Sequence, residues 1–428
     1  MKKRLLKKRI VFLYNNYERE HVIIELISME LRKYNCKVCE IGMTDPKCIK
    51  RVLLFRPQII VTYPITTMMQ KDIYTYIKKL LKCKIITYTT EGLFDYNKKD
   101  VIKIHAGTYD YSSDLIDYHV YWGKLAARKI GKELYLQKKL RSSKQIRVFG
   151  NPMYEKNKIQ VYYQSNKYKD ILRKWNQVIL VLTGFVTSEY TIKDYVNAQD
   201  IVNVKDKDRK GILNDPVLNE WLMATEHQKR YREKYIAAIV DAAKKNVDTL
   251  YVVKLHPQEM LFKKNRRTAI KYIECLKNIE NILVIDESIP VGILLPYCNL
   301  MVHYGSTVDL EAYIYKVPTL KLELRNISND MLSETSRLTE STYYADVDEM
   351  DIIDKYTKGI KDGTVSFRTN SKIEKQLDDL MNYKVESNYK PSKEFARFLC
   401  SDLKGSTLDI KYFEWKALLS RLVKEFRK

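Results

Sequence analysis

Short apolar runs alternate with amphipathic stretches along the first third of the chain. Arg9–Tyr14, Lys37–Ile41, Gln58–Thr62, Lys84–Tyr88, Tyr118–Trp122 and Gln145–Phe149 are rich in β-branched and aromatic residues and read as strands. After the first of them, Glu20–Lys33 places Val22, Ile23, Leu26, Ile27 and Leu31 at helical spacing. Strands that are nearly continuous in apolar residues are buried on both faces, which points to parallel strands joined by helical crossovers. The pattern breaks at Gly150-Asn-Pro-Met, and the polar, Tyr-rich stretch Lys156–Asp170 reads as a crossing to a second domain.

A second series then opens with Val178–Leu182 and continues through Thr249–Leu255, Ile282–Ile285, Leu300–Val302 and Thr319–Leu322. The charged stretch from about 187 to 235 reads as an insertion of helices and loop. From about 372 onward the pattern is helical, ending in an apolar stripe from Leu408 to Phe426. The expected architecture is α/β, with two Rossmann-like doubly wound domains. The first covers 1–155 and is expected to receive the helices of 390–428; the second covers 170–375.

Composition narrows the class. A chain of 428 residues that is 45% hydrophobic supports large cores. Its 76 Lys and Arg against 53 Asp and Glu give a net charge of +23, which favours anionic partners. The lysines are dispersed and no nucleic-acid-binding motif stands out, so specific nucleic-acid binding is not expected. Seven cysteines, an odd count, argue against a disulfide framework; Cys36-Lys-Val-Cys39 has no second pair and reads as core thiols. No apolar stretch approaches the roughly 20 residues of a membrane span. The basic N-terminus runs straight into the first strand, so a cytoplasmic location is expected, with attachment to the inner face of the membrane left open. Asp206-Lys-Asp208 and Asp346-Val-Asp348 lie among charged residues and read as solvated surface.

Two strand exits carry candidate chemistry. The run Thr249–Leu255 delivers His256 and Pro257; Leu300–Val302 delivers His303, Gly305, Ser306 and Thr307. In open α/β sheets ligands bind beyond the carboxyl ends of the strands. Ser306 or Thr307 is expected to cap a following helix with Glu311 one turn in, and a helix start rich in N–H groups and hydroxyls attracts anions. His256 would supply a proton or positive charge. The pair reads as a clamp for a nucleotide phosphate, although His-Pro is a common strand exit and Gly-Ser-Thr a common cap. His303 reads more simply as a packed strand-end histidine.

In order along the chain, several short pieces resemble the bacterial surface-carbohydrate-biosynthesis proteins and, more distantly, the GT-B sialyltransferases and Kdo transferases that use CMP-sugars. These are Tyr17-Glu-Arg-Glu20, Thr90-Glu-Gly92, Asp117-Tyr-His-Val-Tyr-Trp-Gly123, Gly150-Asn-Pro152, Thr183-Gly-Phe185, Lys254-Leu-His-Pro-Gln-Glu259 and Gly305-Ser-Thr-Val-Asp-Leu-Glu311. Two depart from the family's pattern: Thr90 stands for an acidic residue and Gly184 for Asn. The resemblance spans residues 10 to 325 and implies the GT-B architecture, two Rossmann-like domains facing a cleft. It implies a glycosyltransferase that moves a sugar, of ulosonic-acid type such as Kdo, from a CMP-linked donor to a glycan or lipid-linked glycan. In that scheme Glu91, with Gly92 beside it, is the general base and His256 stabilises the leaving phosphate. Glu311 takes the ribose, and Arg19, Thr183, Glu259 and His303 are further cleft candidates. No cofactor beyond the nucleotide-sugar and no metal is expected, because cationic side chains do a metal's work. Two rival readings stand beside it: a UDP-sugar transferase or CDP-polyol transferase of teichoic acid type, and a non-enzymatic polyanion-binding protein.

Overall fold

The computed structural model describes residues 8–15, 17–89, 99–155, 167–194, 216–261, 266–304, 306, 308–323, 342–346, 349, 351–369, 371–382 and 389–401. The chain divides into two compact units, 1–155 with 374–428, and 156–373. Each is built on a six-stranded sheet in which every strand pair is parallel.

In the first unit the strands are β1 (Arg9–Tyr14), β2 (Lys37–Gly42), β3 (Ile59–Thr62), β4 (Lys84–Tyr88), β5 (Tyr118–Tyr121) and β6 (Ile146–Val148), in the order β2-β1-β3-β4-β5-β6. The crossovers are α1 (Tyr17–Lys33), α2 (Cys48–Phe55), α3 (Met68–Leu81), α4 (Lys99–Ala106) and α5 (Lys124–Leu136). The first helix starts three residues before the expected Glu20, and the last strand loses Gln145 to a 3-10 turn, Ser143–Gln145, capped by the Ser142 side chain. One face of the sheet packs Val11, Ile60 and Ile85 against Tyr74, Ile77 and Leu81 of α3.

After the second unit the chain returns through α12 (Ser371–Met381) and α13 (Pro391–Ser401). Phe395 stacks on Phe149 at 5.3 Å between ring centres and meets Tyr88 at 5.2 Å; Phe398 packs edge-on against Tyr118. The Glu155 carboxylate accepts from the Ser392 backbone at 2.5 Å and from its hydroxyl at 3.0 Å, satisfying first-turn groups of α13. A Cβ on Gly123 would lie 2.1 Å from the Leu380 carbonyl oxygen, so only glycine lets α12 this close. Gly150 holds a φ of +80° with Met381 O 2.9 Å from its missing Cβ. Trp122-Gly123 and Gly150-Asn-Pro152, which in sequence resemble family motifs, thus form the seat of the returning segment. The stripe of 408–428 lies outside the described residues.

The second unit contains β7 (Gln177–Leu182), β8 (Thr249–Lys254), β9 (Ile282–Ile285), β10 (Leu300–His303), β11 (Thr319–Glu323) and β12 (Thr342–Asp346). Their order, β12-β11-β10-β7-β8-β9, is the 3-2-1-4-5-6 order of the dinucleotide-binding fold when counted from β7. The short helix α6 (Lys169–Leu172) precedes β7, and α7 (Pro216–Lys245) runs between β7 and β8. The stretch from 187 to 235, expected as an insertion of helices and loop, thus holds the first two thirds of the crossover helix between β7 and β8, while residues 195–215 lie outside the described residues. Tyr231, Tyr235, Ala238, Ile239 and Ala242 of α7 are buried under the sheet, at helical spacing that the surrounding Lys, Arg and Glu conceal in the sequence. The other crossovers are α8 (Pro257–Leu261), α9 (Arg266–Leu276), α10 (Asp309–Tyr315) and α11 (Ile352–Lys361). The opposite face packs Val178, Leu180 and Val252 against Leu294, Leu295 and Ala312. The apolar pattern does not predict β12; it is an amphipathic edge strand, and Asp346, expected on solvated surface, is its last residue, partly covered. Asp206-Lys-Asp208 lies outside the described residues.

Candidate nucleotide-binding site

Strand order decides where the motifs of the second unit meet. The strand order reverses between β7 and β10, and crevices beyond the carboxyl ends at such a switch point bind ligands. Thr183 follows β7, His256 follows the neighbouring β8, and Ser306 follows β10. Three segments distant in sequence therefore converge at the carboxyl ends of neighbouring strands.

The turn carrying His256 is held by a buried carboxylate. Glu259, in the first turn of α8, has no exposed surface. Its Oε2 accepts the His256 backbone N–H at 2.9 Å and the Thr183 hydroxyl, while the Glu259 N–H returns to the His256 carbonyl at 2.9 Å. The His256 N–H also reaches Thr183 Oγ1 at 3.0 Å. This is the acidic half of a capping box, with Thr183 added from the adjacent strand. Burial pushes the Glu259 carboxyl up to about 7, against the pull of Thr183, the His256 and Phe185 backbone amides and Arg232. Glu259 and Thr183, expected as candidates to touch ligand, are thus buried supports of the His256 loop. His256 itself is half-buried, and Pro257 opens α8, where a missing N–H costs nothing.

The β10 side departs from expectation in its cap. Ser306 Oγ does accept a backbone N–H, from Val308 at 3.3 Å, but α10 begins only at Asp309. Ser306 therefore stabilises the turn before the helix. Gly305 and Thr307 lie outside the described residues. Glu311 falls in the first turn of α10 as expected. Its Oε2 is sealed from solvent and has no hydrogen-bond partner among the described residues. Burial raises this carboxyl to about 7, offset by the charge of Lys254 and the Gly292 backbone. His303 is 1% exposed, with Nε2 2.8 Å from Asp309 Oδ1, itself almost wholly buried: a packed histidine.

Lys254 opens the Lys254–Glu259 piece, which resembles a family motif, but its sequence context assigns it no role. It is the last residue of β8, 4% exposed, in register with Leu182 of β7. Burial lowers its ammonium to about 8, and the charges of Glu311 and then Glu259 pull it back up. A lysine interrupting a wholly apolar strand is the sequence signal that could have found it. The buried Lys254 ammonium is thus coupled by charge to two buried acids, Glu311 and Glu259. Its proton inventory near pH 7 is sensitive to any charged ligand.

In the first unit, Glu91 and Gly92 lie outside the described residues, just beyond β4 and the buried Thr89. Arg19 sits in the first turn of α1. Among the described residues no group of three or more His, Cys, Asp and Glu is arranged to hold a metal ion, and no helix is long and apolar enough to cross a membrane.

Two Rossmann-like units of wholly parallel strands are the architecture of the GT-B class of fold. Residues 221–322, which contain both strand-exit motifs, match the family model described as capsule polysaccharide biosynthesis protein. Solved structures extend the likeness to nearly the whole chain. MnaA of S. aureus, solved with UDP, is 13% identical with a TM-score of 0.53, over 94% of this chain and 99% of that one. The UDP-GlcNAc 2-epimerase of Neisseria meningitidis, bound to UDP-GlcNAc, is 14% identical with a TM-score of 0.53, over 92% and 99%. That of Methanocaldococcus jannaschii, with UDP-GlcNAc and UDP, is 13% identical with a TM-score of 0.52, over 92% and 99%. None of the curated proteins matches the chain. The surface-carbohydrate part of the expected resemblance is thereby met; its sialyl- and Kdo-transferase part is not.

Proposed function

We propose that the protein is a glycosyltransferase of surface-polysaccharide synthesis that draws its sugar from a nucleotide-linked donor. The observation that carries this reading is the Glu311 carboxylate, buried at the switch point of a dinucleotide-type sheet with one oxygen that has no hydrogen-bond partner among the described residues, inside the segment that matches the capsule family model. A buried acceptor is costly unless a donor arrives, and a ribose diol is such a donor. His256, at the neighbouring strand exit, stabilises charge on the departing phosphate, and Glu91 of the first unit removes the acceptor's proton. The second unit is the donor domain and the first the acceptor domain.

We favour a uridine nucleotide over the cytidine expected from sequence. The support is that the similar structures were solved with UDP or UDP-GlcNAc. The test is a thermal-shift and calorimetric series with UDP, CDP and CMP, followed by turnover with the sugar derivatives of whichever binds. UDP is expected to raise the melting temperature most, and E311Q to lose that shift. A shift with CMP alone would restore the CMP-sugar reading. No shift with any nucleotide, together with steep salt-dependent binding of polyanions, would replace the enzyme by a polyanion-binding protein.

A further inference from the structure

In sequence Cys36 is half of a CxxC string of core thiols, but in the fold it is only half-buried and its sulfur faces a different partner. Cys36 Sγ lies 3.2 Å from Cys400 Sγ, across 364 residues of sequence and within one compact unit. The backbones that carry the two sulfurs are held by hydrogen bonds. Asn35, with a φ of 59°, turns the end of α1, and the Cys36 N–H returns to the Leu31 carbonyl at 3.2 Å. Cys400 occupies the last turn of α13, whose Leu399 and Cys400 carbonyls accept the Lys8 ammonium at 2.7 and 3.0 Å. The hydrogen bond from Cys400 and that ammonium hold the Cys36 thiol down at about 7 despite burial, while Cys400 is raised. Cys36 is therefore the nucleophile of the pair and Cys400 the resolving thiol. Elsewhere Cys48 and Cys83 are pushed up to about 11 and about 12 by burial, and so are poor nucleophiles. A disulfide needs sulfurs about 2.0 Å apart, so these must close by only about 1 Å, within reach of small χ1 rotations.

We propose that Cys36 and Cys400 form a redox modification site: they exchange with a low-molecular-weight disulfide to make a reversible bond that staples α13 to the head of β2. The Cys36 thiolate attacks one sulfur of the reagent and releases the first small thiolate. Cys400 then gives up its proton, and its sulfur attacks the mixed disulfide at Cys36 and releases the second. Two protein thiols are oxidised and one small disulfide is reduced to two thiols. The bond closes the chain between the start of the first unit and the segment that returns to it, so it restricts the unfolded ensemble.

The test equilibrates the reduced full chain with excess oxidised glutathione, then counts thiols in denaturant and maps peptides without reduction. Free thiols should fall from seven to five. A single cross-linked species should join Cys36 to Cys400, and the oxidised chain should melt several degrees higher than the reduced one. C36S and C400S should each lose that cross-link and that shift, whereas C275S keeps both. Retention of all seven thiols, a glutathione adduct that stalls on Cys36, or a bond to another cysteine would overturn the proposal. Peptide mapping of the native sequence decides between these outcomes even if a variant folds poorly.

Discussion

Glu259 Oε2 accepts the backbone N–H of His256 at 2.9 Å, so a carboxylate with no exposed surface sets the course of the chain through the His-Pro turn. E259A removes the acceptor of the Thr183 hydroxyl and one of the two acceptors of the His256 N–H, leaving it only Thr183 Oγ1. We expect a loss of about 1–3 kcal/mol in unfolding free energy, with weaker nucleotide binding. E259Q, which keeps one acceptor oxygen, should recover part of the stability. Denaturant unfolding of the three proteins checks this; an E259A variant as stable as the parent would refute the supporting role.

His256→Ala should behave differently. The turn is held through the His256 backbone, which alanine retains. The melting temperature should therefore change little, while transfer falls by about 10²–10³, the usual cost of losing one placed charge stabiliser. Turnover close to normal would remove His256 from the chemistry.

The buried trio predicts a pH signature. Glu259 and Glu311 stand at about 7 in the folded chain. Their pKa values are raised, so the native state keeps protons that the unfolded chain has released. Stability contributed by these groups falls as pH rises from the ordinary carboxyl value near 4.5 to about 7. Lys254, lowered to about 8, works in the opposite sense: stability rises with pH from about 8 towards the ordinary lysine value. The difference in melting temperature between E311Q and the parent should grow in favour of E311Q from pH 5 to 7.5. Nucleotide affinity of the parent should rise through pH 7 as Glu311 ionises, and that of E311Q should stay flat. A pH-independent difference would mean that Glu311 is not buried as described.

Gly123→Ala tests the seat of the returning helices. The added Cβ would press on the Leu380 carbonyl, a backbone atom that cannot swing away. A cost of about 1–3 kcal/mol or more is expected from overpacking. Gly363→Ala is the comparison: its φ is +79° with nothing within 4 Å, so only left-handed backbone strain of about 1 kcal/mol applies. Equal unfolding midpoints for the two variants would argue against close packing of α12 at Gly123.

The hydrophobic pattern by itself determined eleven of the twelve described strands, because burial of parallel strands on both faces is written locally as apolar runs. It does not reveal β12, whose amphipathic edge position leaves only a short Tyr-rich signal, and it conceals α7, whose apolar stripe is interleaved with charge. The His256 and Ser306–Glu311 segments are legible for the same local reason, as polar residues at the ends of apolar runs. What brings them together is not. The order β10-β7-β8 that sets these segments side by side is a matter of non-local pairing, on which a strand's own residues are silent. The role of Glu259 as a buried support of the His256 turn, and the charge coupling of buried Lys254 to Glu311 and Glu259, follow from burial in that arrangement. So does the meeting of Cys36 with Cys400. A residue's type fixes what chemistry it can do, but its ionisation and partners depend on neighbours that only the folded chain brings within reach.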